Sequence, residues 1–404
     1  MVIKYRSSLL SCIYPLVIFL LLVVLGVPVV WAQNGISGVK EGWGYPVVVI
    51  PPEKGWESKD GNSIKWALRL AEREISMKRE GIRGHEVTFM FASVQKKEEI
   101  KDRLSIWRRM NVAVILSFAG GGGVDQTLRQ LCGENGPAVL FVEGENINLS
   151  SGDVKPMPYL FALELPFFFK ANAFAERASQ AKKSNQVTLF SDIQSTQIAR
   201  GARLTDALLS AKKIPSTIMW VPAFQQDRFI IPINEAVSSE SSTFISWLEG
   251  MGTLSIWKSL RTDRIKAQLW YAGIKHPILL DASGIVLVDK DVLLERDIQG
   301  KRDISMRIRD LFNRIPDNPV MAAKAYALGS WTIQSYQNSK GRSATALAEQ
   351  LSISRNIPLM GEILDIDSGT HRPVSRRVGF LRIADRKYKS DGSVSVFSRY
   401  VTEK

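Results

Sequence analysis

The stretch "VAVILSFAGGGGVDQTLRQLC", Val112 to Cys132, decides how the chain is read. A buried apolar run, four consecutive glycines (Gly120 to Gly123) and a helical pattern follow one another, as a strand does when it feeds a helix through a tight loop. That unit belongs to parallel α/β sheets. Glycines at a helix N-terminus expose backbone N–H groups, which favour an anionic group. The run lacks the lysine and hydroxyl residue of a phosphate loop and does not match the dinucleotide pattern, so nucleotide is not expected. A ligand loop and a plain strand-to-helix turn both fit the glycines.

The same alternation extends in both directions. "YPVVVIPP" (Tyr45 to Pro52) reads as a buried strand, and Asp60 to Met77 as a helix with Ile64, Ala67, Leu68, Ala71 and Ile75 on one face. "HEVTFMFAS" (His85 to Ser93), "EEIKDRLSIWRRM" and "PAVLFVEG" continue as strand, helix and strand. After "LELPFFF" (Leu163 to Phe169) the pattern restarts, with strands expected at "QVTLFSD" (Gln186 to Asp192), "STIMWVPAF" (Ser216 to Phe224), "TFISWLEG" (Thr243 to Gly250) and "HPILLDAS" (His276 to Ser283). Helices are expected between them, at Ala171 to Ala181, over "IARGARLTDALLSAK", near Ile233 to Ser239 and from Ser255 to Ala272. Two α/β halves in tandem are the consequence.

The first 32 residues stand apart. Lys4 and Arg6 precede an uncharged apolar stretch from Ile13 to Val30, and Val30-Trp31-Ala32 fits a signal-peptidase site before Gln33. Export is expected, with a membrane anchor instead if the segment stays uncleaved. Of the two cysteines, Cys12 lies in that segment, leaving Cys132 and no internal disulfide. The formal charge of +13 falls by two when Lys4 and Arg6 leave. Basic and acidic residues are interspersed, as in "KKEEIKDRLSIWRR", the pattern of solvated helix faces, and together with export this argues against nucleic acid.

"GNSIKWALRLAEREISMKREGIRGHEVTFMF", followed by "NVAVILSFAGGGG", resembles the opening of type I periplasmic binding proteins, the solute receptors of branched-chain amino acid and amide ABC transporters. "AGIKHPILLDASG", "NPVMAAKAYALGSWTIQS" and "PLMGEILDIDSGTHRPVSRRVGFLRIADRKY" resemble the family's later elements. The resemblance implies two doubly wound parallel-sheet domains in a Venus-flytrap arrangement, joined by three hinge crossings. Residues 43–163 with 288–356 would form the first domain and 166–286 with 358–404 the second, with hinges near Leu163 to Pro166, Ile285 to Asp289 and Asn356 to Met360. It further implies a periplasmic, monomeric protein without cofactor that holds a small polar ligand between its domains and passes it to a membrane permease. A sensory or accessory role is the alternative.

Ligands of such sheets sit beyond the carboxyl ends of the strands. Expected ligand-binding positions are therefore Ser117 and Gly120, Gly121, Gly122 and Gly123 after the third strand, Glu143, Gly144 and Glu145 after the fourth, and Asp192, Glu249 and Asp281 in the second half. By resemblance, Asp281 would hold a ligand ammonium. Relatives commonly carry serine and threonine where this chain has glycine, so a cationic amine or a hard metal ion with oxygen ligands stands beside the amino acid as a candidate. Trp43, Trp56 and Trp247 are candidate pocket walls as well as core residues. His85, His276 and His371 share no metal-type spacing, and no GxSxG elbow occurs, so no catalytic residue is assigned. His371 reads as part of a turn and the arginines around it as a solvated or docking surface.

Overall fold

Val47 to Ile50 have no exposed surface on either side, which suits a central strand covered on both faces and needs parallel neighbours. A computed structural model supplies that setting and describes residues 44–76, 86–94, 96–120, 122–144, 147–151, 155–181, 186–221, 241–291, 304–359 and 361–398. The expected signal segment, Gly121, Glu145, His85, Trp43 and the expected helix at 233–239 lie outside these residues.

The first sheet contains β1 (Tyr45–Ile50), β2 (Val87–Phe91), β3 (Val114–Ser117), β4 (Ala138–Phe141) and β5 (Leu160–Ala162). All pairings are parallel, and the order is β2-β1-β3-β4-β5. Helices α1 (Lys59–Ala71), α2 (Lys97–Arg109) and α3 (Gly123–Cys132) connect the first four strands. Ser58 caps α1 by accepting from the Gly61 amide at 3.0 Å.

The second sheet is β6 (Val187–Asp192), β7 (Ser216–Val221), β8 (Thr243–Ser246), β9 (Gln268–Tyr271) and β10 (Val286–Asp289), joined late in the chain by an antiparallel hairpin. Its parallel part runs β7-β6-β8-β9-β10, the same winding as the first sheet. Helices α4 (Phe169–Gln180), α5 (Thr196–Ala211) and α6 (Gly250–Thr262) belong to this half.

After β10 the chain returns to the first core. α7 (Ile304–Phe312), α8 (Pro319–Asn338) and α9 (Ala344–Ser352) precede the short hairpin β11 (Ile357–Leu359) and β12 (Glu362–Leu364). Asn318 caps α8, with Pro319 in the first turn where its missing N–H costs nothing. α8 crosses α1 so closely that a Cβ on Gly329 would meet Leu68 Cδ2 at 3.0 Å. The chain then enters β13 (Ser375–Ala384) and β14 (Lys387–Phe397), an antiparallel hairpin added beside β10.

One expected strand changes. "HPILLDAS" is not a strand: Pro277 to Leu279 form a single 3-10 turn, because His276 Nδ1 accepts from the Ile278 amide and Pro277 starts the turn. The strand is β9, just upstream, and α6 ends at Thr262 before Arg264 takes a positive φ of 54°. Ile357, Leu359, Leu364 and Ile366, close to the crossing expected at Asn356 to Met360, pack with the first core, beside Trp331 and Phe161.

Candidate functional site

Strand order locates the site. In each sheet the chain goes first to one side and then to the other, so β1/β3 and β6/β8 are the places where the connections part and leave a crevice. At the first of these lies a cavity of about 220 Å³. Among the described residues it is lined by Pro51, Pro52 and Glu53 after β1, by Val94 and Lys97, and by Ala119, Gly120, Gly122, Gly123 and Val124 after β3.

The glycine loop forms its wall. Gly120 has φ +80°, a conformation that other L residues rarely adopt, and a Cβ there would stand 3.6 Å from Glu143 Oε2. Gly122 is the N-cap of α3 and contributes no side-chain cap, so the first-turn amides lack the hydroxyl or carboxylate partner that a serine or aspartate would supply at that position. The exposed Lys97 lays its stem across Gly123, whose Cβ would meet Lys97 Cδ at 3.3 Å. A positive helix end and an ammonium thus share the loop. The charged run containing Lys97, read in sequence as a solvated face, contributes to the cavity; its position just beyond the second strand was the available signal.

Ser117 and Gly144 serve the scaffold. The Ser117 hydroxyl donates to Asp125 on α3, and both side chains are buried. Gly144 gives its carbonyl to Arg372 Nη2 at 2.9 Å, and a Cβ there would come within 2.6 Å of Ala162 Cβ. Glu143 is half-buried beside Gly120.

The second crevice carries acids. Asp192 ends β6 and accepts from the Gln194 amide at 2.8 Å; Glu249 caps α6 after β8 with no capping bond from its carboxylate. Burial, and then the Glu249 charge, push the Tyr271 hydroxyl up to about 12. Asp281 stands elsewhere, after β9, exposed and paired with Arg386 at 2.9 Å. Neither it nor the two crevice acids line the cavity under the glycine loop.

The remaining candidates are tied into the scaffold by hydrogen bonds or burial. Trp247 is buried and donates to Thr205 Oγ1 at 3.1 Å, while Trp56 Nε1 donates to the Ala92 carbonyl at 2.7 Å. Burial raises the Cys132 thiol to about 12, which keeps it protonated. His371 does sit in a turn, but its ring is buried, with Nδ1 2.9 Å from the Leu160 carbonyl, stacked on Phe161 at 4.4 Å. Arg372 and Arg376, expected on a solvated face, are buried as well. Among the described residues no group of three or more His, Cys, Asp or Glu side chains comes together as a metal site.

Solved structures share this architecture. A branched-chain amino acid ABC transporter periplasmic ligand-binding protein from Burkholderia xenovorans matches 89% of this chain and 97% of its own, with 14% identity and a TM-score of 0.62. For a leucine binding protein from Thermotoga maritima the values are 87%, 98%, 13% and 0.56. For a periplasmic binding protein type 1 from Bordetella pertussis they are 86%, 100%, 12% and 0.54. The fold is that of type I periplasmic binding proteins. No family model and no curated protein matches the sequence. At such identities the likeness speaks for the two-domain architecture, and side-chain roles rest on the geometry above.

Proposed function

We propose that the protein is an extracytoplasmic, monomeric solute-binding protein that captures a small polar ligand, an amino acid or amide-like molecule, between its two domains and delivers it to the membrane permease of an ABC transporter. The observation that carries this reading is the contrast between the two crevices. One is walled by glycine backbone, a helix N-terminus and Lys97; the other presents Asp192 and Glu249. A ligand with a carboxylate at one end and an ammonium or amide at the other matches both. The cavity of about 220 Å³ holds one end of such a molecule, since whole pockets commonly measure about 300–1,000 Å³.

Lys97 favours an anionic group on this side over a metal ion or a simple amine. The two domains are drawn as residues 44–163 with 304–374 and 164–291 with 375–398. Thermal-shift screening against amino acids, amides, amines and metal ions tests the reading, because a ligand that binds only the folded state raises the melting temperature. Stabilisation by an amino acid or amide, followed by saturable calorimetric binding, is the expected result. A rise with amines or metal ions alone would replace the ligand class.

A further inference from the structure

A buried carboxylate stands where the two units are joined. Glu164 lies two residues beyond β5, on the way to α4, and is 1% exposed. Its Oε1 is 3.0 Å from Lys324 Nζ on α8, which packs in the first core. Its Oε2 is 3.4 Å from Arg376 Nη1 on β13, a strand of the second sheet. Lys324 also reaches Asp291, just beyond β10, at 2.9 Å, and Arg376 Nε donates to Glu362 at 2.9 Å. Lys290 Nζ stands 4.0 Å from Glu164 Oε2. The segments leaving β5, leaving β10 and entering β13 therefore converge on one cluster of three carboxylates and three cations.

Burying such groups is costly, and well-packed apolar residues would hold two surfaces together at least as well. What apolar packing lacks is a group that serves both sides at once and can turn. Each oxygen of Glu164 faces a cation fixed to a different unit, and rotation about its side-chain torsions lets the carboxylate follow both.

We propose that Glu164 is the pivot of opening and closing: its carboxylate holds Lys324 of the first unit and Arg376 of the second, and so restricts the units to one hinge motion. The inference concerns the joint and holds whatever ligand the cavity takes. Without the Glu164 charge, Lys324 and Arg376 repel across the joint and the units sample more orientations.

Spin labels at Lys101→Cys on α2 and Lys258→Cys on α6, with Cys12→Ser, report the separation of the units by electron-electron double resonance. Both sites are exposed, and buried Cys132 stays in place. Glu164→Gln, which keeps the shape and loses the charge, is expected to about double the width of the distance distribution while circular dichroism stays native. Asp291→Asn removes a charge from the same cluster but leaves both Glu164 contacts, and is expected to keep the wild-type width. A wild-type distribution in Glu164→Gln, or equal broadening in Asp291→Asn, overturns the pivot. Should Glu164→Gln fail to fold, Arg376→Lys, which keeps the charge and gives up the guanidinium contact, must broaden the distribution, and an unchanged width overturns the proposal equally.

Discussion

The two crevices are wound alike and furnished oppositely. At β1/β3 the chain removes side chains: Gly120, Gly122 and Gly123 leave backbone, a helix end and the Lys97 ammonium. At β6/β8 it adds them, with Asp192 and Glu249 carrying charge and Ile193 and Met251 exposed beside them at 64% and 52%. The winding makes a crevice in either sheet, so topology alone does not choose a ligand. The choice lies in what each loop adds or withholds: on the reading proposed above, the first crevice would address an anion through fixed backbone dipoles and the second a cation through side chains.

The contrast has meaning only if the two crevices are held face to face, and the largest expected effect falls on the joint. Glu164→Ala leaves Lys324 and Arg376 buried without their shared partner, at a cost on the order of 3–5 kcal/mol in urea unfolding. Burial alone raises the Glu164 carboxyl, but Lys290, Lys324 and Arg376 together hold it well below the usual range. A carboxyl depressed by folding contributes stability that is complete above its ordinary value of 4.5 and lost as pH falls through the lower folded value. The wild-type advantage over Glu164→Ala is therefore expected to stay constant above about pH 5 and to shrink only in strong acid. Asp291 opposes this in part, since burial pushes its carboxyl up despite Lys324. An advantage that disappears on raising the pH from neutral would show that the cluster is not held together by the ionised Glu164.

Within the first crevice, Gly120 and Gly122 separate shape from access. Gly120→Ala forces an L residue to φ +80° and is expected to cost about 1–2 kcal/mol of stability. Gly122→Ala meets nothing within 4 Å and has an ordinary φ of −76°, so its stability cost should stay at about 0.5–1 kcal/mol, that of a poorer N-cap residue. If the loop holds the ligand through its amides, Gly122→Ala instead lowers affinity by partly covering them. Calorimetry beside thermal melting distinguishes the two, and equal affinities in Gly122→Ala and wild type would return the loop to the status of a turn.

How much of this was legible follows from range. β1, β3 and β4 are short apolar runs buried on both faces, and local composition suffices for them. β9 was missed because Gln268 is exposed and the strand has only four residues, while the more apolar "PILL" downstream imitates one. The glycine loop was found because its unusual residues are adjacent in sequence. A hinge is expected from sequence at Leu163 to Pro166, but the ionic cluster on Glu164 is not legible there, since Glu164, Lys324 and Arg376 are brought together over separations of 160 and 212 residues. A single lysine inside the apolar run "MAAKAYALGSW" was its one local sign, because a lysine buried in a core helix requires an acid beside it.

Lys97 sharpens the contrast at smaller scale. Lys97→Met keeps much of the stem across Gly123 and removes the charge from the anion side. For a carboxylate ligand the expected loss is about 1 kcal/mol, or roughly fivefold in affinity, reduced by added salt as for any exposed charge. Melting temperature without ligand should not move. An affinity that rises on loss of Lys97 would show that this crevice takes a cation, exchanging the roles of the two sides.

The smallest effect is expected where sequence resemblance placed the largest. Asp281 was to anchor a ligand ammonium from the end of a strand, but the residues before it form a 3-10 turn and its carboxylate pairs with Arg386 in solvent, with side-chain exposures of 71% and 78%. Exposed pairs of this kind contribute about 0–1 kcal/mol, because water screens them and two mobile side chains must be held in register. Asp281→Ala should therefore change stability by less than about 0.5 kcal/mol and leave affinity within error. Asp192→Ala is the informative partner measurement: Asp192 is 5% exposed at the β6/β8 crevice, where an ammonium would be desolvated on closure. Loss of affinity in Asp192→Ala with none in Asp281→Ala assigns the cation side to the winding of the sheet. The reverse result would mean that the ammonium is held by a residue that stands exposed beside Arg386 in this structure, and that the loop after β9 reaches the ligand by moving inward.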